Sequence, residues 1–202
     1  MTNNSYYESI SEKILYSEAD IQNRIKQLGE QITNEYKGKQ ITFISILNGA
    51  FMFSSDILKH IKLDCEIDFM QVSTYGSGTV SSGNFVVKKD LSVDIENKDV
   101  IILEDILDTG YTMENLINYL KEKNPRSIKC CTLFDKPARR VNNVKADYAG
   151  FVEKNDYFVV GYGLDYSQKY RNLPFVCILK KEIYSWLQIK SNIKKLAAQE
   201  AN

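Results

Sequence analysis

The chain is 202 residues long, with 26 basic side chains against 26 acidic ones and 44% hydrophobic residues. This length suits one domain with a sizeable core, so 1–202 reads as a single domain, and the even charge excludes a surface field that would recruit nucleic acid or an anionic membrane. The polar start from Met1 to Ile10 lacks the apolar core of a secretory leader and no apolar run is long enough to span a bilayer, so a cytoplasmic protein with no nucleic-acid or membrane partner is expected.

Ser17 and Asp20 make a capping-box-like start to a helix whose apolar residues Ile21, Ile25, Leu28, Ile32 and Tyr36 recur at spacings of three and four. Gly38 ends it. Ile41–Leu47 is a β-rich run that leads through Asn48 and Gly49 into a second helical pattern over Phe51–Ile61. His60, beside Lys59 and Lys62 at the end of that helix, reads as structural or solvated. Cys65–Ser73 predicts the next strand. The small polar residues that follow bury little apolar area, which predicts a mobile lid over 74–83 with Thr74 and Tyr75 at its root.

The strand Phe85–Lys88 returns the chain to the sheet, and Asp99–Leu103 is nearly all aliphatic, as in a parallel strand covered on both faces. Met113, Leu116, Ile117 and Leu120 mark one face of a helix ending near Asn124 and Pro125. Ser127–Phe134 is a further strand, in which Cys130 and Cys131 point to opposite faces. Together with Cys65 and Cys177 they form no C-x-x-C pair, which predicts reduced, mostly buried thiols without a metal. After a polar loop at Lys136, the runs Tyr148–Val152, Phe158–Val160 and Phe175–Leu179 predict three strands, and a charged amphipathic helix from Glu182 to about Gln199 closes the chain. The alternation argues an α/β fold with a largely parallel central sheet. The N-terminal helix and the segment after Lys136 are placed as a small flap over its carboxyl edge.

In such a sheet, ligands bind beyond the carboxyl ends of the strands. The richest of these ends is Val100–Thr112, where an aliphatic strand delivers Glu104 and Asp105 together and Asp108, Thr109, Gly110, Tyr111 and Thr112 form a turn opening the next helix. Hydroxyls, exposed backbone donors and the positive helix end suit a phosphate without any lysine. Two adjacent carboxylates become useful where they accept from a sugar diol or hold a hydrated Mg²⁺. An isolated fragment of this kind is also compatible with an exposed acidic strand end before a capping threonine.

This segment resembles the phosphoribosyl pyrophosphate motif of the type I phosphoribosyltransferases, in the wording of their bacterial hypoxanthine-guanine branch. The resemblance extends from about Ser17 to about Lys180 through Leu47–Phe53, Ser73–Gly76, Asp135–Arg140 and Phe158–Tyr166 with Arg171. It implies the type I phosphoribosyltransferase fold, with helices flanking the sheet and a small hood. It also implies that Glu104 and Asp105 hold the ribose hydroxyls with Mg²⁺ beside them, and that Asp108 to Thr112 cradle the 5′-phosphate. Tyr111 contributes backbone only. The loop Leu47, Asn48, Gly49 would bind pyrophosphate through a non-proline cis peptide; the family usually carries Lys or Arg where this chain has Asn48, and Ser where it has Thr74.

By the same resemblance, Lys136 would donate to the purine 6-oxo group and so exclude adenine, Phe158 would stack on the base and the Val159 backbone would read its far edge. Asp165 would help hold a second Mg²⁺, and Arg171 would contact pyrophosphate. Arg139 and Arg140 read as surface or subunit-contact charges. The implied activity is purine salvage: Mg²⁺-dependent transfer of the phosphoribosyl group to N9 of hypoxanthine, and of guanine, with Asp108 accepting the N7 proton, in a homodimer or homotetramer. Alternatives are a xanthine-preferring enzyme, a pyrimidine enzyme, or a non-catalytic nucleotide-binding regulator on the same fold.

Overall fold

The computed structural model describes residues 4–75 and 84–185. Its contacts divide the chain into two compact units, one of Ala19–Asp156 and one of Met1–Glu18 with Tyr157–Asn202.

The larger unit is built on a six-stranded sheet. In chain order its elements are α2 (Glu18–Glu35), β2 (Ile41–Leu47), α3 (Phe51–Leu58), β3 (Cys65–Tyr75), β4 (Asn84–Lys89), β5 (Asp99–Leu107), α4 (Tyr111–Lys121), β6 (Ser127–Asp135) and β7 (Tyr148–Val152). The elements before them, α1 (Asn4–Ile10) and β1 (Ser11–Tyr16), belong to the smaller unit. The strand order is β4-β3-β2-β5-β6-β7, parallel throughout except for the antiparallel edge strand β4. β2 is buried along almost its whole length, as a strand covered by helices on both faces should be, and its two polar residues, Thr42 and Ser45, are buried with it, Ser45 Oγ accepting from Ser54 Oγ of α3 at 2.7 Å.

On one face Ile44, Met70, Val100, Ile102 and Cys130 pack with Met113, Leu116 and Leu120 of α4. The i, i+3, i+7 spacing of those last three is the helix stripe that the sequence shows. Ile21, Ile25, Leu28 and Ile32 of α2 are fully buried at the expected period. Polar bonds lock α2 in place: Arg24 donates through Nε to Gly150 O and through Nη2 to Ala149 O, both at 2.7 Å, and Gln22 Nε2 donates to Asp56 Oδ2 at 2.7 Å.

The smaller unit is a separate antiparallel sheet of β1 (Ser11–Tyr16), β9 (Val176–Leu179) and β8 (Val159–Val160), in that order, preceded by α1 (Asn4–Ile10). Ile10, Val160, Leu173, Phe175, Cys177 and Leu179 form its core, and Tyr7 sets its ring edge-on to Phe175 with centroids 4.9 Å apart. This corrects the expected flap in part: of the segment after Lys136, the residues from Tyr157 onward do belong to the smaller unit. The helix after Ser17 and the segment 137–156 belong to the larger unit, while the smaller one recruits the N-terminal residues before them. Residues 181–185 are helical, and the rest of the helix expected to Gln199 lies outside the described residues.

Cys130, Cys131 and Cys177 are buried and free, whereas Cys65 is exposed. Burial pushes the Cys177 thiol up to about 11, so it stays a protonated apolar side chain. Among the described residues no helix is long and apolar enough to cross a membrane.

Asp68 shows how the sheet edge is tied to the chain that enters β5. Its Oδ1 accepts from Phe69 N at 2.7 Å and its Oδ2 from Val93 N at 3.0 Å and from Ser92 N, with Lys89 Nζ 3.4 Å away. Burial alone would raise this carboxyl group, but the backbone donors and Lys89 outweigh it and hold it below its ordinary value of 3.8. A group lowered by folding stabilises above its unfolded value and loses that contribution as pH falls through the folded one. Asp68→Asn should therefore cost about 1–3 kcal/mol at pH 7, with the gap from wild type closing as the pH drops below 3.8. Urea unfolding at both pH values checks this; a gap of constant size would remove the charged form from the explanation.

Candidate active site

β2 and β5 are neighbours, yet the chain leaves them in opposite directions, from β2 toward β3 and from β5 toward β6. Right-handed crossovers then send α3 and α4 to opposite faces, and a crevice opens beyond the carboxyl ends of β2 and β5. Their pairing stops at Ser45 opposite Leu103. Two residues further on, Leu47 and Asp105 flank the opening.

The loop after β2 comes very close to β5. A Cβ on Gly49 would lie 1.8 Å from Asp105 Oδ2, so only glycine permits this approach. The Leu47–Asn48 peptide is cis. Asn48 is exposed, and its Oδ1 accepts from Gln71 Nε2 of β3 at 3.4 Å, a neutral amide contact where a charged side chain would be usual for the resembling family.

β5 is longer than its aliphatic run. It keeps pairing with β6 through Glu104 opposite Thr132, Ile106 opposite Phe134 and Leu107 opposite Asp135. Glu104 and Asp105 thus sit inside the strand, not after it as the expected end at Leu103 implied. Asp105 is buried and accepts from Ile106 N at 2.8 Å, while Glu104 Oε1 accepts from Asp105 N at 3.3 Å. Burial first, and the adjacent Asp105 carboxylate second, push the Glu104 carboxyl well above its ordinary value.

Asp108 and Thr109 make the turn, and α4 begins at Tyr111, so Tyr111 and Thr112 lie in its first turn. Gly110 occupies the N-cap at φ 84, a left-handed conformation that other residues resist. The first helical bond runs from Glu114 N to Gly110 O at 2.9 Å, so the amides of Tyr111, Thr112 and Met113 precede it. Tyr111 N reaches Thr109 Oγ1 only at 3.5 Å. These amides, the two threonine hydroxyls and the helix dipole can hold an anion.

At the neighbouring strand end, Lys136 N donates to Leu107 O at 3.0 Å, which lays Lys136 beside the Asp108 turn. Its side chain is only 5% exposed, with Nζ 3.5 Å from Asp156 Oδ1. A solitary loop lysine would be solvated; this one is enclosed.

Of the two arginines that follow, Arg139 is exposed as expected, whereas Arg140 is not a surface charge. Arg140 is 9% exposed and donates through Nε to Asp108 O and through Nη2 to Leu107 O, both at 2.9 Å, and also to Val144 O and the Asp135 carboxylate. It clamps the β5 and β6 ends together. Arg139 reaches Asp108 itself, with Nε 2.9 Å from Oδ1. The loop packs further onto the turn through Val141 N, which donates to Thr109 O at 3.0 Å, and through Asn142, whose Oδ1 would lie 2.3 Å from a Cβ on Gly110.

The smaller unit holds Phe158, Val159, Asp165 and Arg171. Phe158 is 42% exposed and meets Tyr166 edge-on at 5.4 Å and Tyr184 at the same separation. Val159 opens β8 opposite Ile178. Asp165 and Arg171 pair with one another, Nη2 to Oδ1 at 2.7 Å, while Arg171 Nη1 donates to Gly163 O at 2.7 Å and Asp165 Oδ2 accepts from Gln168 N at 2.7 Å. Thr74 and Tyr75 are the last residues of β3, opposite Phe85 and Asn84 of β4. The rest of the lid expected over 74–83, residues 76–83, lies outside the described residues. Among the described residues no group of three or more His, Cys, Asp or Glu gathers to hold a metal.

Residues 12–167 match the phosphoribosyl transferase domain family. The chain is 49% identical to the hypoxanthine-guanine phosphoribosyltransferase of Streptococcus thermophilus over 173 residues, 86% of this chain and 96% of that protein. It is 48% identical to the bifunctional protein TilS/HprT of Listeria monocytogenes over 91% of this chain, and spans only 28% of that longer relative. A crystal structure of a hypoxanthine phosphoribosyltransferase from Staphylococcus aureus superposes with a TM-score of 0.86 at 46% identity, covering 90% of this chain and 98% of that one.

Removing the Arg140 guanidinium would take the cation from the Asp135 carboxylate and its donors from the Asp108 and Val144 carbonyls. Arg140→Met should cost about 3–5 kcal/mol, the scale of a broken buried pair, read as a lowered midpoint in urea. A loss below about 1 kcal/mol would place Arg140 among ordinary surface pairs.

Proposed function

This chain belongs to the phosphoribosyltransferase family, in its hypoxanthine-guanine branch, and from that premise we propose that it transfers the 5-phosphoribosyl group of phosphoribosyl pyrophosphate to N9 of hypoxanthine, and of guanine, releasing pyrophosphate. The observation that carries this reading is one continuous stretch. Glu104 and Asp105 lie in the last half of β5, the Asp108–Gly110 turn after it opens α4, and Lys136 lies alongside just past the next strand end. A ribose diol, a 5′-phosphate and a 6-oxopurine have this same sequence of needs. The family match over 12–167 runs through both units, which supports treating 1–202 as one catalytic domain.

Each residue then has a role. Glu104 and Asp105 accept from the ribose hydroxyls; the α4 amides with Thr109 and Thr112 hold the 5′-phosphate. Leu47, Asn48 and Gly49 present backbone donors to pyrophosphate, joined by Arg171, while Lys136 donates to the purine oxygen. Phe158 stacks on the base, Val159 reads its far edge, and Thr74 and Tyr75 root a lid that excludes water from the reacting carbon. Mg²⁺ fits the donor set, because this ion takes one or two protein carboxylates and completes its shell with water and substrate oxygens rather than an all-protein cage. When bound beside Glu104 and Asp105, and through Asp165 at the pyrophosphate, it supplies positive charge to the leaving group.

Asp108 accepts the N7 proton. A carboxylate is too weak a base to deprotonate a neutral purine in advance, but the ring acidifies as N9 bonds to carbon, so proton transfer accompanies attack. Lys136, fixed by burial, rejects an exocyclic amine, since donor would meet donor. We further propose a cytoplasmic homodimer or homotetramer.

The protein should release pyrophosphate from hypoxanthine, phosphoribosyl pyrophosphate and Mg²⁺, and none with adenine or uracil. Turnover of adenine at a comparable rate would overturn the role of Lys136, and faster turnover of xanthine would move the substrate class. Asp108→Asn should lower kcat by about 10²–10⁴, the usual contribution of a positioned base, and leave donor affinity nearly unchanged in a calorimetric titration; an unaltered kcat would remove Asp108 as the base.

A further inference from the structure

Arg139 stands at the centre of a four-residue chain of charges that the activity alone does not require. The short 3₁₀ helix Pro137–Arg139 follows Lys136 directly, and Arg139 N donates to Lys136 O at 3.1 Å. Three residues make one 3₁₀ turn, so Lys136 and Arg139 fall on the same side of it. From there the Arg139 guanidinium bridges two carboxylates, with Nε 2.9 Å from Asp108 Oδ1 and Nη1 donating to Asp156 Oδ1 at 2.6 Å. Lys136 Nζ stands 3.5 Å from that same Asp156 oxygen. The order is Asp108, Arg139, Asp156, Lys136, two cations alternating with two anions.

The two contacts of Arg139 differ in quality. Asp108 Oδ1 is buried yet accepts no hydrogen bond: the guanidinium covers it at ion-pair distance without aiming an N–H at it. Toward Asp156 the bond is short and aligned. Asp108 is also anchored from behind, since Arg140 holds its carbonyl. The Arg139 side chain is 43% exposed and is the partner free to move. A ligand N–H directed at Oδ1 offers the hydrogen bond that Arg139 leaves unmade.

We propose that Arg139 is a positioning residue for purine capture, which covers Asp108 in the base-free protein and withdraws onto Asp156 when the N7–H and 6-oxo edge of the base inserts between Asp108 and Lys136. This rests on the transferase reading above. The exchange keeps the charge balanced: N7–H replaces Arg139 on Asp108, O6 replaces Asp156 on Lys136, and the Arg139–Asp156 pair persists. Asp156, which stands beside both cations in the base-free protein, keeps Arg139 alone, and the purine competes with ion pairs rather than with water alone. A base lacking either the donor or the acceptor releases only half of the chain.

Hypoxanthine binding and turnover in Arg139→Gln and Asp156→Asn test this. With Asp108 uncovered, Arg139→Gln should lower KM for hypoxanthine about two- to five-fold, the span set by a partly exposed ion pair, with kcat and the KM for phosphoribosyl pyrophosphate held within about two-fold. Asp156→Asn should raise KM for hypoxanthine by a similar factor, because Arg139 is left with Asp108 alone. A merely structural role would move both variants in the same direction. An unchanged or raised KM in Arg139→Gln overturns the proposal. Calorimetric titration of hypoxanthine into each protein, with Mg²⁺ and inorganic pyrophosphate present, separates the two readings. Wild-type protein without turnover would sink the transferase assignment, whereas equal hypoxanthine affinity in wild type and Arg139→Gln would sink this one.

Discussion

The approach of Gly49 to Asp105 is the constraint from which the rest of the site follows. β2 and β5 lie side by side in the middle of the sheet, but their successors turn opposite ways, so the loops at their carboxyl ends separate and leave a crevice. For one ligand to touch both loops, the backbone after β2 must come within contact of the carboxylates in the last half of β5. A single missing Cβ permits that, since any side chain at position 49 would occupy the place of Asp105 Oδ2. The atoms in the way are those of the Asp105 carboxylate, which is buried and would have to turn aside to make room.

A second constraint acts on the other side of β5. Extending the strand to Leu107 brings two carbonyls, of Leu107 and Asp108, to the point where the ladder stops, and a strand end must find donors for such groups. Arg140 supplies them, and Lys136 N adds another to Leu107 O. The segment 136–142 is thereby fastened to the turn 108–110 by backbone-directed bonds that do not depend on a ligand. Rigid backing of this kind lets Asp108 and Lys136 hold their separation while Arg139, bound only by its ends, remains the adjustable part.

The sequence revealed what period and composition encode. β2 and β7 appear over the expected residues, and α2 and α4 bury the expected stripes, because a run of aliphatic residues or a three-and-four spacing is a local signal. β5 was cut short at Leu103 because Glu104 and Asp105 interrupt the apolar run, although pairing with β6 continues past them. α1 and β1 were invisible. Ser11–Tyr16 carries exposed Glu12 and Lys13, and its partner β9 lies far along the chain, so only tertiary pairing makes it a strand. Arg140 was misread for a related reason: its acceptors come from positions 107, 108, 135 and 144, and no local pattern announces such a convergence. The proposed site residues rest on the ordered set of matching segments, whereas the ion-pair chain through Arg139 and Asp156 has no such signal in the sequence.

Charge placement within the larger unit follows the chemistry proposed for it. The chain as a whole is neutral, yet its cations and anions are sorted along the sheet edge: Glu104 and Asp105 at the end of β5, then Lys136, Arg139 and Arg140 after β6. A sugar diol donates hydrogen bonds and meets acceptors first; a 6-oxopurine presents a carbonyl and meets a cation further on. Between them the Asp108 turn presents both kinds of group, a carboxylate and the amide-rich start of α4. The order in which the strands reach the edge is therefore also the order of functional groups along the proposed substrates. Exchanging any two of these strand ends would keep the fold and lose the match, which is why the site is better read from the sequence of loops than from any one of them.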